Sequence, residues 1–189
     1  MQDIFKAIEH RRTIRNYDPN FQIPKEQLEK IMEAARMSPT GEDAQGYDFI
    51  VVTNKEKLKG IEKAVLDGLN EGWRKAFEGR REKHHVDNVV TCDASTVVLL
   101  VRNERENKSW IKYDSGICMM SIMMAAQYYG YESMCLGVVS NEMPGDIGKN
   151  VEKLFNLKEG SLLIGICFGK ATPDAKCPKR ELKEKITYV

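Results

Sequence analysis

The stretch Arg11-Arg12-Thr13-Ile14-Arg15 follows a short apolar run and places three arginines and a hydroxyl within five positions. If the segment leaves a helix in an extended form, Arg11, Thr13 and Arg15 point to the same side. Guanidinium groups offer paired donors that match phosphate oxygens, so the stretch predicts a site for a phosphate monoester. A solvated basic turn explains the same residues when they are taken alone.

The amino-acid composition limits the classes of protein to which this chain can belong. The 189 residues are enough for a single domain, 1–189, with a sizeable core. Lys and Arg number 29 against 28 Asp and Glu, so no global field favours nucleic acid and an anion site must be local. No signal-peptide pattern and no apolar run of the roughly 18–20 residues of a membrane span is present. Five irregularly spaced cysteines indicate free thiols, and together these features predict a cytoplasmic protein.

Hydrophobic periodicity predicts helices and strands in alternation. Apolar residues at three-and-four spacing predict helices over 3–10, 24–37, 54–69 and 110–129, and one from Pro144. β-branched runs predict strands over 48–53, 96–101, 133–139 and 161–168. The helix over 110–129 is apolar nearly all round, which predicts burial in the middle of the protein. Four or five short strands separated by helices predict a layered α/β or α+β domain.

The pattern loosens between about residues 68 and 90. We expect a short helix from Trp73 to Phe77 and then a mobile loop, which is either a functional lid or a solvated excursion. Trp73 and Phe77 would stack on a ligand in the first case and pack under the loop in the second. His84 and His85 match no zinc spacing with Cys92, which predicts solvated histidines and no metal site. The tail, 171–189, ends in β-forming residues and predicts an arm that pairs with a partner subunit.

Several motifs then occur in a fixed order along nearly the whole chain. They are the run 11–17, Ser38-Pro39-Thr40 with Asp43 and Gln45 before the strand 49–52, Asp114-Ser115-Gly116, Cys135-Leu136-Gly137, and Phe168-Gly169-Lys170 followed by Lys179-Arg180. In this order they resemble the nitroreductase family of FMN-dependent oxidoreductases. Each motif alone is a weak signal, whereas the ordered set is fairly specific.

The resemblance implies an α+β fold with a central mixed or antiparallel sheet of about five strands flanked by helices. It also implies a homodimer that exchanges C-terminal arms and binds one FMN at each of two subunit interfaces. NADH or NADPH would deliver hydride to flavin N5, and a nitroaromatic, quinone or similar acceptor would then take the electrons by a ping-pong mechanism. Because the cofactor carries this chemistry, no catalytic side chain is implied.

The resemblance also assigns residues to the cofactor. Arg15 would lie near the pyrimidine edge of the flavin, where a cation stabilises the negative charge of the reduced form. The backbone around Leu136 and Gly137 would approach N5, which would account for a glycine inside a strand. The remaining cofactor residues are Arg11, Arg12 and Thr13 with Lys179 or Arg180 at the phosphate, and Ser38, Pro39, Thr40 and Asp43 from the partner subunit.

Two departures from the family pattern leave alternatives open. Asp43 stands where the family usually has Asn, and Gly46-Tyr47 stands where it usually has Pro-Trp. A carboxylate near the flavin would oppose its reduction unless it is paired, for instance with Arg15. A flavin-binding or regulatory module without turnover therefore stays open. A specialised enzyme that fragments flavin or removes a halogen reductively is a further alternative, although it requires a longer lid.

Overall fold

The computed structural model describes residues 4–189, so the predicted helix cap Asp3 lies outside the described residues. The helices are α1 (Ile4–His10), α2 (Lys25–Arg36), α3 (Lys55–Gly68), α4 (Glu71–Glu78), α5 (Arg80–His84), α6 (Ile111–Tyr128) and α7 (Ile147–Leu154). The strands are β1 (Tyr47–Val52), β2 (Thr96–Arg102), β3 (Glu132–Leu136) and β4 (Leu162–Gly169). Short 3-10 turns cover Gly41–Asp43 and Gly137–Val139.

The four strands form one antiparallel sheet in the order β1-β2-β4-β3. Successive side chains of β2 point to opposite faces, with Val97 and Leu99 in one hydrophobic core and Val98 and Leu100 in the other. All four are fully buried, which explains why this strand is a continuous apolar run and not an alternating one.

A layer of helices covers each face of the sheet. On one face α3 packs against α7, and Ile61 and Val151 join the core that contains Leu99. On the other face α2 packs against α6, and Ile31 and Ile122 join the core that contains Leu100. The result is a three-layer α+β architecture with the sheet in the middle.

Local sequence sets several helix boundaries. The side chain of Asn54 accepts a hydrogen bond from the Lys57 backbone N–H at 3.0 Å, so this asparagine caps α3. Asn70 caps α4 in the same way through the N–H of Trp73 at 3.0 Å. The helix expected from Pro144 begins later, at Ile147, because residues 140–146 form turns before it.

Two strand predictions need correction. The sheet contains four strands in the described chain and not five, and residues 172–189 form no strand there. The predicted pairing of the tail with a partner subunit concerns a second chain and stays a prediction. In addition, β3 ends at Leu136, so Gly137 begins a 3-10 turn and does not lie inside a strand.

The predicted mobile loop before residue 90 is instead a helix followed by a buried segment. After α5, Val86, Val89 and Val90 are at most 3% exposed. Phe77 is also buried, with the Arg80 guanidinium 3.8 Å from its ring centre, so packing is its role. Both histidines were predicted to be solvated. His84 is instead half-buried, whereas its neighbour His85 is exposed. Three valines within five residues are too short a hydrophobic pattern to predict an element, which is why the sequence did not reveal this packing.

Helix α6 is not buried on all sides, contrary to the prediction. Tyr113, Ile117 and Met120 lie on one side of the helix and are 68%, 44% and 36% exposed. We refer to these three residues as the α6 stripe. Hydrophobic periodicity cannot distinguish a face buried in the chain's own core from a face that another molecule would cover. None of the helices described in residues 4–189 combines the length and apolarity that a membrane crossing requires.

Candidate functional site

The basic stretch at Arg11–Arg15 runs along the edge of the sheet. Thr13 forms a single parallel bridge with Ser133 of β3, and the Ile14 N–H donates to the Ser133 carbonyl at 3.5 Å. Ile14 is only 3% exposed and anchors the stretch in the core. Thr13 and Arg15 lie on either side of Ile14, and both line a cavity.

One cavity, which we call the arginine cavity, has a volume of about 800 Å³. Three guanidinium groups reach it, and Arg180 lines it whereas Lys179 does not in the described chain. The lining favours Arg180 over Lys179, and which of the two contacts the phosphate stays a prediction. The polar and sulfur-bearing lining is Glu9, Arg11, Arg12, Thr13, Met120, Met123, Cys135 and Arg180.

Arg12 differs from the other arginines because its guanidinium is already occupied by backbone carbonyls. It donates to the carbonyl of Arg11 at 2.8 Å, to that of Pro178 at 3.2 Å, and to that of Glu9. Arg12 thus ties the end of α1 to the tail. Arg11 and Arg180 are better placed to supply donors to a ligand in the cavity.

A second cavity, which we call the histidine cavity, has a volume of about 300 Å³ and shares Thr13 with the first. Its remaining lining residues are Arg15, Asn16, Lys83, His84, His85, Asp174, Lys176 and Pro178. Burial lowers the pKa of His84, and the neighbouring cations Lys83 and Arg15 lower it further. Thr13 lines both cavities, which places them side by side, and we call the two together the groove. Cations outnumber carboxylates among its described lining residues.

The C-terminal tail borders this groove without any regular secondary structure. Asp174, Lys176 and Pro178 line the histidine cavity, and Arg180 and Leu182 line the arginine cavity. Every second residue therefore takes part, as expected for an extended segment whose side chains alternate.

The residues predicted to act from the partner subunit lie elsewhere in the chain. Ser38 and Thr40 line a third cavity of about 590 Å³, which in the described chain has no lining residue in common with the arginine and histidine cavities. Ser38 donates to the hydroxyl of Ser121 on α6 at 2.8 Å. Pro39 and Asp43 are exposed. One chain therefore does not bring the two predicted groups together.

Residues 41–45, which we call the clamped loop, have an unusual backbone. Glu42, Asp43 and Gln45 adopt the left-handed conformation, with φ of 57°, 52° and 47°. Such conformations cost free energy in non-glycine residues and persist only where neighbouring groups hold them. Here the Gln45 carbonyl accepts from Asn103 Nδ2 at 3.1 Å and from Arg105 Nε and Nη2 at 3.3 and 3.2 Å.

The start of α6 holds the other end of the clamped loop. The Gly41 N–H donates to Asp114 Oδ1 at 3.0 Å, and Asp114 is only 4% exposed. A Cβ at Gly41 would lie 2.6 Å from the Trp110 ring, so only glycine fits there. Asp43 accepts from the Gln45 side chain at 3.0 Å and lines neither of the cavities that Thr13 borders, so within one chain it is not paired with Arg15 as we had considered.

The Gly46-Tyr47 departure has a packing explanation. A Cβ at residue 46 would lie 2.6 Å from the Glu106 Cα, which excludes a larger residue without backbone movement. Tyr47 is 7% exposed and packs edge-on against Phe49, with ring centres 5.5 Å apart. Burial raises the pKa of the Tyr47 hydroxyl. These residues therefore serve the core and need not change the cofactor groove.

The predicted backbone approach at Leu136 and Gly137 lies at the end of β3. Leu136 is buried, whereas Gly137 is exposed and has no atom within 4 Å of the position of a Cβ. Nothing in the chain itself requires glycine here, which fits a ligand that approaches the backbone. Cys135 on β3 is exposed, whereas Cys167 on β4 is buried.

The donor set fits a phosphorylated, flat and electron-accepting ligand such as FMN. Arg11, Arg180 and the Thr13 hydroxyl supply donors at one end of the groove, and Arg15 supplies a cation at the other. Among residues 4–189, no group of three or more His, Cys, Asp or Glu is arranged to hold a metal ion.

Residues 8–170 match the family model described as the nitroreductase family. The chain belongs to the nitroreductase family. An oxygen-insensitive NADPH nitroreductase of Helicobacter pylori strain J99 is 33% identical over 207 residues, which cover 97% of this chain and 95% of that protein.

Solved structures agree on the nitroreductase fold. A nitroreductase with bound FMN from Bacteroides fragilis superposes with a TM-score of 0.78 at 20% identity and covers 100% of both chains. A nitroreductase with bound FMN from Desulfitobacterium hafniense gives 0.77 at 24% identity, covering 100% of this chain and 99% of that one.

Sequence reasoning missed two groups of site residues. Lys83, His84 and Lys176 line the histidine cavity, but no spacing or periodicity links the excursion to the tail. Asn103 and Arg105 hold the clamped loop from more than 50 residues away. Only topology brings such residues together, so the sequence carried no usable signal for them.

Proposed function

We propose that this chain is an FMN-dependent oxidoreductase that uses NADH or NADPH and passes electrons to a nitroaromatic, quinone or similar acceptor. The observation that supports it most directly is the groove formed where the arginine and histidine cavities meet at Thr13. A groove of this kind suits a ligand with a phosphate at one end and an electron-accepting ring at the other.

In this proposal the chain's own residues bind and orient the cofactor. Arg11, Arg180 and the Thr13 hydroxyl hold the phosphate, because guanidinium groups match its oxygens in charge and geometry. Arg15 faces the pyrimidine edge, and the exposed backbone at Gly137 lies near N5. Once bound, FMN supplies the hydride and electron transfer chemistry, while the protein supplies position and charge.

We further propose that the functional unit is a homodimer. The α6 stripe is an exposed apolar surface on the chain's central helix, and such surfaces usually mark an interface. A second copy would also bring its own Ser38, Pro39, Thr40 and Asp43 to the groove, which one chain does not do.

Sedimentation can test the homodimer directly. Ile117→Lys places a charge in the α6 stripe and should shift the protein to monomers, because an unpaired charge is costly to bury. Trp73→Lys is the matched control, since Trp73 is 51% exposed on α4, away from the stripe. A native protein that is monomeric at micromolar concentration would contradict the proposal.

The activity is tested by an anaerobic titration of the FMN-reconstituted protein. We expect NADH or NADPH to bleach the visible flavin absorbance, and a quinone or nitroaromatic to restore it. Bound FMN that stays oxidised with both nucleotides would favour a binding module without turnover. Failure to bind FMN at all would overturn the assignment.

A further inference from the structure

Part of the lining of the histidine cavity comes from residues that were not predicted to bind the cofactor. Lys83 and His84 reach it from α5, and Lys176 reaches it from the tail, facing the side that Arg15 lines. These segments are more than 90 positions apart in the sequence and meet only at this cavity. The positive side chains therefore converge on the end of the groove where Arg15 lies.

The charge of this cavity is unbalanced. Arg15, Lys83 and Lys176 are cations, and Asp174 is the one carboxylate among the described lining residues. The neighbouring Thr172 side chain is the main cause that lowers the pKa of Asp174, so this carboxylate stays ionised at neutral pH. His84 has Arg15, Arg80, Lys83 and Lys176 as charged neighbours, and all of them are cations. An excess of positive charge therefore remains after Asp174 is counted.

We propose that Lys83 and Lys176 form a charge-tuning wall that favours the reduced over the oxidised form of the bound cofactor. This inference rests on the proposed FMN site. A hydride carries two electrons and one proton, so its transfer to neutral oxidised flavin leaves the ring with one negative charge. Positive groups beside the ring lower the free energy of that product more than that of the oxidised form. The two lysines act through the field at the ring and take part in no bond that forms or breaks.

The test is a comparison of two tail lysines. Lys176→Gln removes a lysine from the histidine cavity, whereas Lys183→Gln removes an exposed tail lysine that lines neither the histidine cavity nor the arginine cavity. Because both are exposed, neither change should disturb folding, and Lys176→Arg restores the charge. The two-electron potential of each FMN-reconstituted protein is measured by slow enzymatic reduction against a reference dye.

We expect Lys176→Gln to lower the ratio of reduced to oxidised FMN affinity by roughly threefold to tenfold, a shift of about 15–30 mV for a two-electron couple. Lys183→Gln should remain within about twofold of the native protein, and Lys176→Arg should restore the native value. Lys83→Gln should act in the same direction as Lys176→Gln. The shift should shrink in 1 M salt, because these charges are exposed and the screening length falls to about 3 Å.

Equal potentials for Lys176→Gln and Lys183→Gln would overturn the inference while leaving FMN binding intact. A change limited to the KM of carboxylate-bearing acceptors, with the potential unchanged, would assign the wall to the acceptor and would also overturn it. Failure of the native chain to bind FMN would instead overturn the proposed function itself, so the two failures are distinguishable.

Discussion

The arginine cavity and the clamped loop are both predicted to contact the same cofactor, but the chain holds them in different ways. Backbone bonds to the edge of the sheet hold the basic stretch, and its side chains stay open to the cavity. Side chains from residues 103–114 hold the clamped loop, and its backbone is strained. The first is a binding surface ready for a ligand, and the second is a rigid element prepared before its ligand arrives.

This difference bears on the proposed homodimer. Arg15 and Ser38 are close in sequence, yet they line cavities that share no residue in the described chain. The loop's own contacts hold it against α6, so it cannot swing to the groove of the same chain without losing them. A second copy offers a way to combine the two without breaking either.

The largest expected effect comes from removing two of the guanidinium groups that line the arginine cavity. Arg11→Gln combined with Arg180→Gln should weaken FMN binding by roughly 100-fold or more, because each hydrogen bond to a charged group contributes about 1.5–3 kcal/mol. Fluorescence quenching of FMN measures the affinity. Lys183→Gln, at an exposed lysine of the same tail, is the control and should change the affinity by less than about threefold. An affinity unchanged in the double variant would place the phosphate elsewhere.

Mixing two defective proteins would test whether each site is shared between subunits. One carries the Arg11→Gln and Arg180→Gln changes, and the other carries Thr40→Pro, one position before the clamped loop. After exchange of subunits, about a quarter of the sites should recover tight FMN binding, since half of the dimers are mixed and each has one intact site. If each chain forms its own site, mixing will restore no binding.

A smaller effect is expected at the clamped loop. Asp114→Ala leaves the Gly41 N–H without its acceptor, which should lower the free energy of unfolding by about 1–3 kcal/mol. FMN affinity should fall by about tenfold as the loop loosens. Asp114→Asn keeps an acceptor oxygen and is the matched control. Urea unfolding and FMN titration would separate the two effects, and an alanine variant with native affinity would show that the loop does not contact the cofactor.

The smallest effect concerns His84 and pH. Burial and nearby cations lower its pKa in the folded chain, so the unfolded chain takes up the proton first as the pH falls. Stability should therefore decrease below about pH 6.5, and His84→Gln should remove that part of the decrease, by less than about 1 kcal/mol. Urea midpoints at pH 7.5 and 5.5 measure it, with the exposed neighbour in His85→Gln as control. Identical pH profiles for native and His84→Gln proteins would contradict the expectation.

Much of the fold could be predicted from the sequence, because regular patterns create regular elements. The predicted helices near Lys25–Arg36 and Ile111–Tyr128 and the strand near Thr96–Arg102 lie within two residues of their observed bounds. The buried segment after α5 was missed because three valines within five residues are too short a pattern to predict an element. The α6 stripe was taken for core because the sequence records that a face is apolar but not which molecule covers it.

The site was predictable to the extent that its residues are contiguous. Arg11, Thr13 and Arg15 do line one groove, and the order of motifs identified the family. The histidine cavity was not predictable, since Lys83 and Lys176 meet there only because the fold brings α5 beside the tail. The topology of the fold decides which distant segments of the chain come close together, and no short stretch of sequence encodes it.

The alternating tail also has a practical consequence for anyone who prepares this protein. Trypsin cuts after lysine and arginine, and a cut after Lys176 or Lys179 would separate Arg180 from the rest of the chain. The purified product would keep all its helices and strands and would look intact by circular dichroism, yet it would lack one wall of its groove. Resistance of the last ten residues to limited digestion is thus a simple assay for a filled site, and an affinity tag is safer at the other end of the chain.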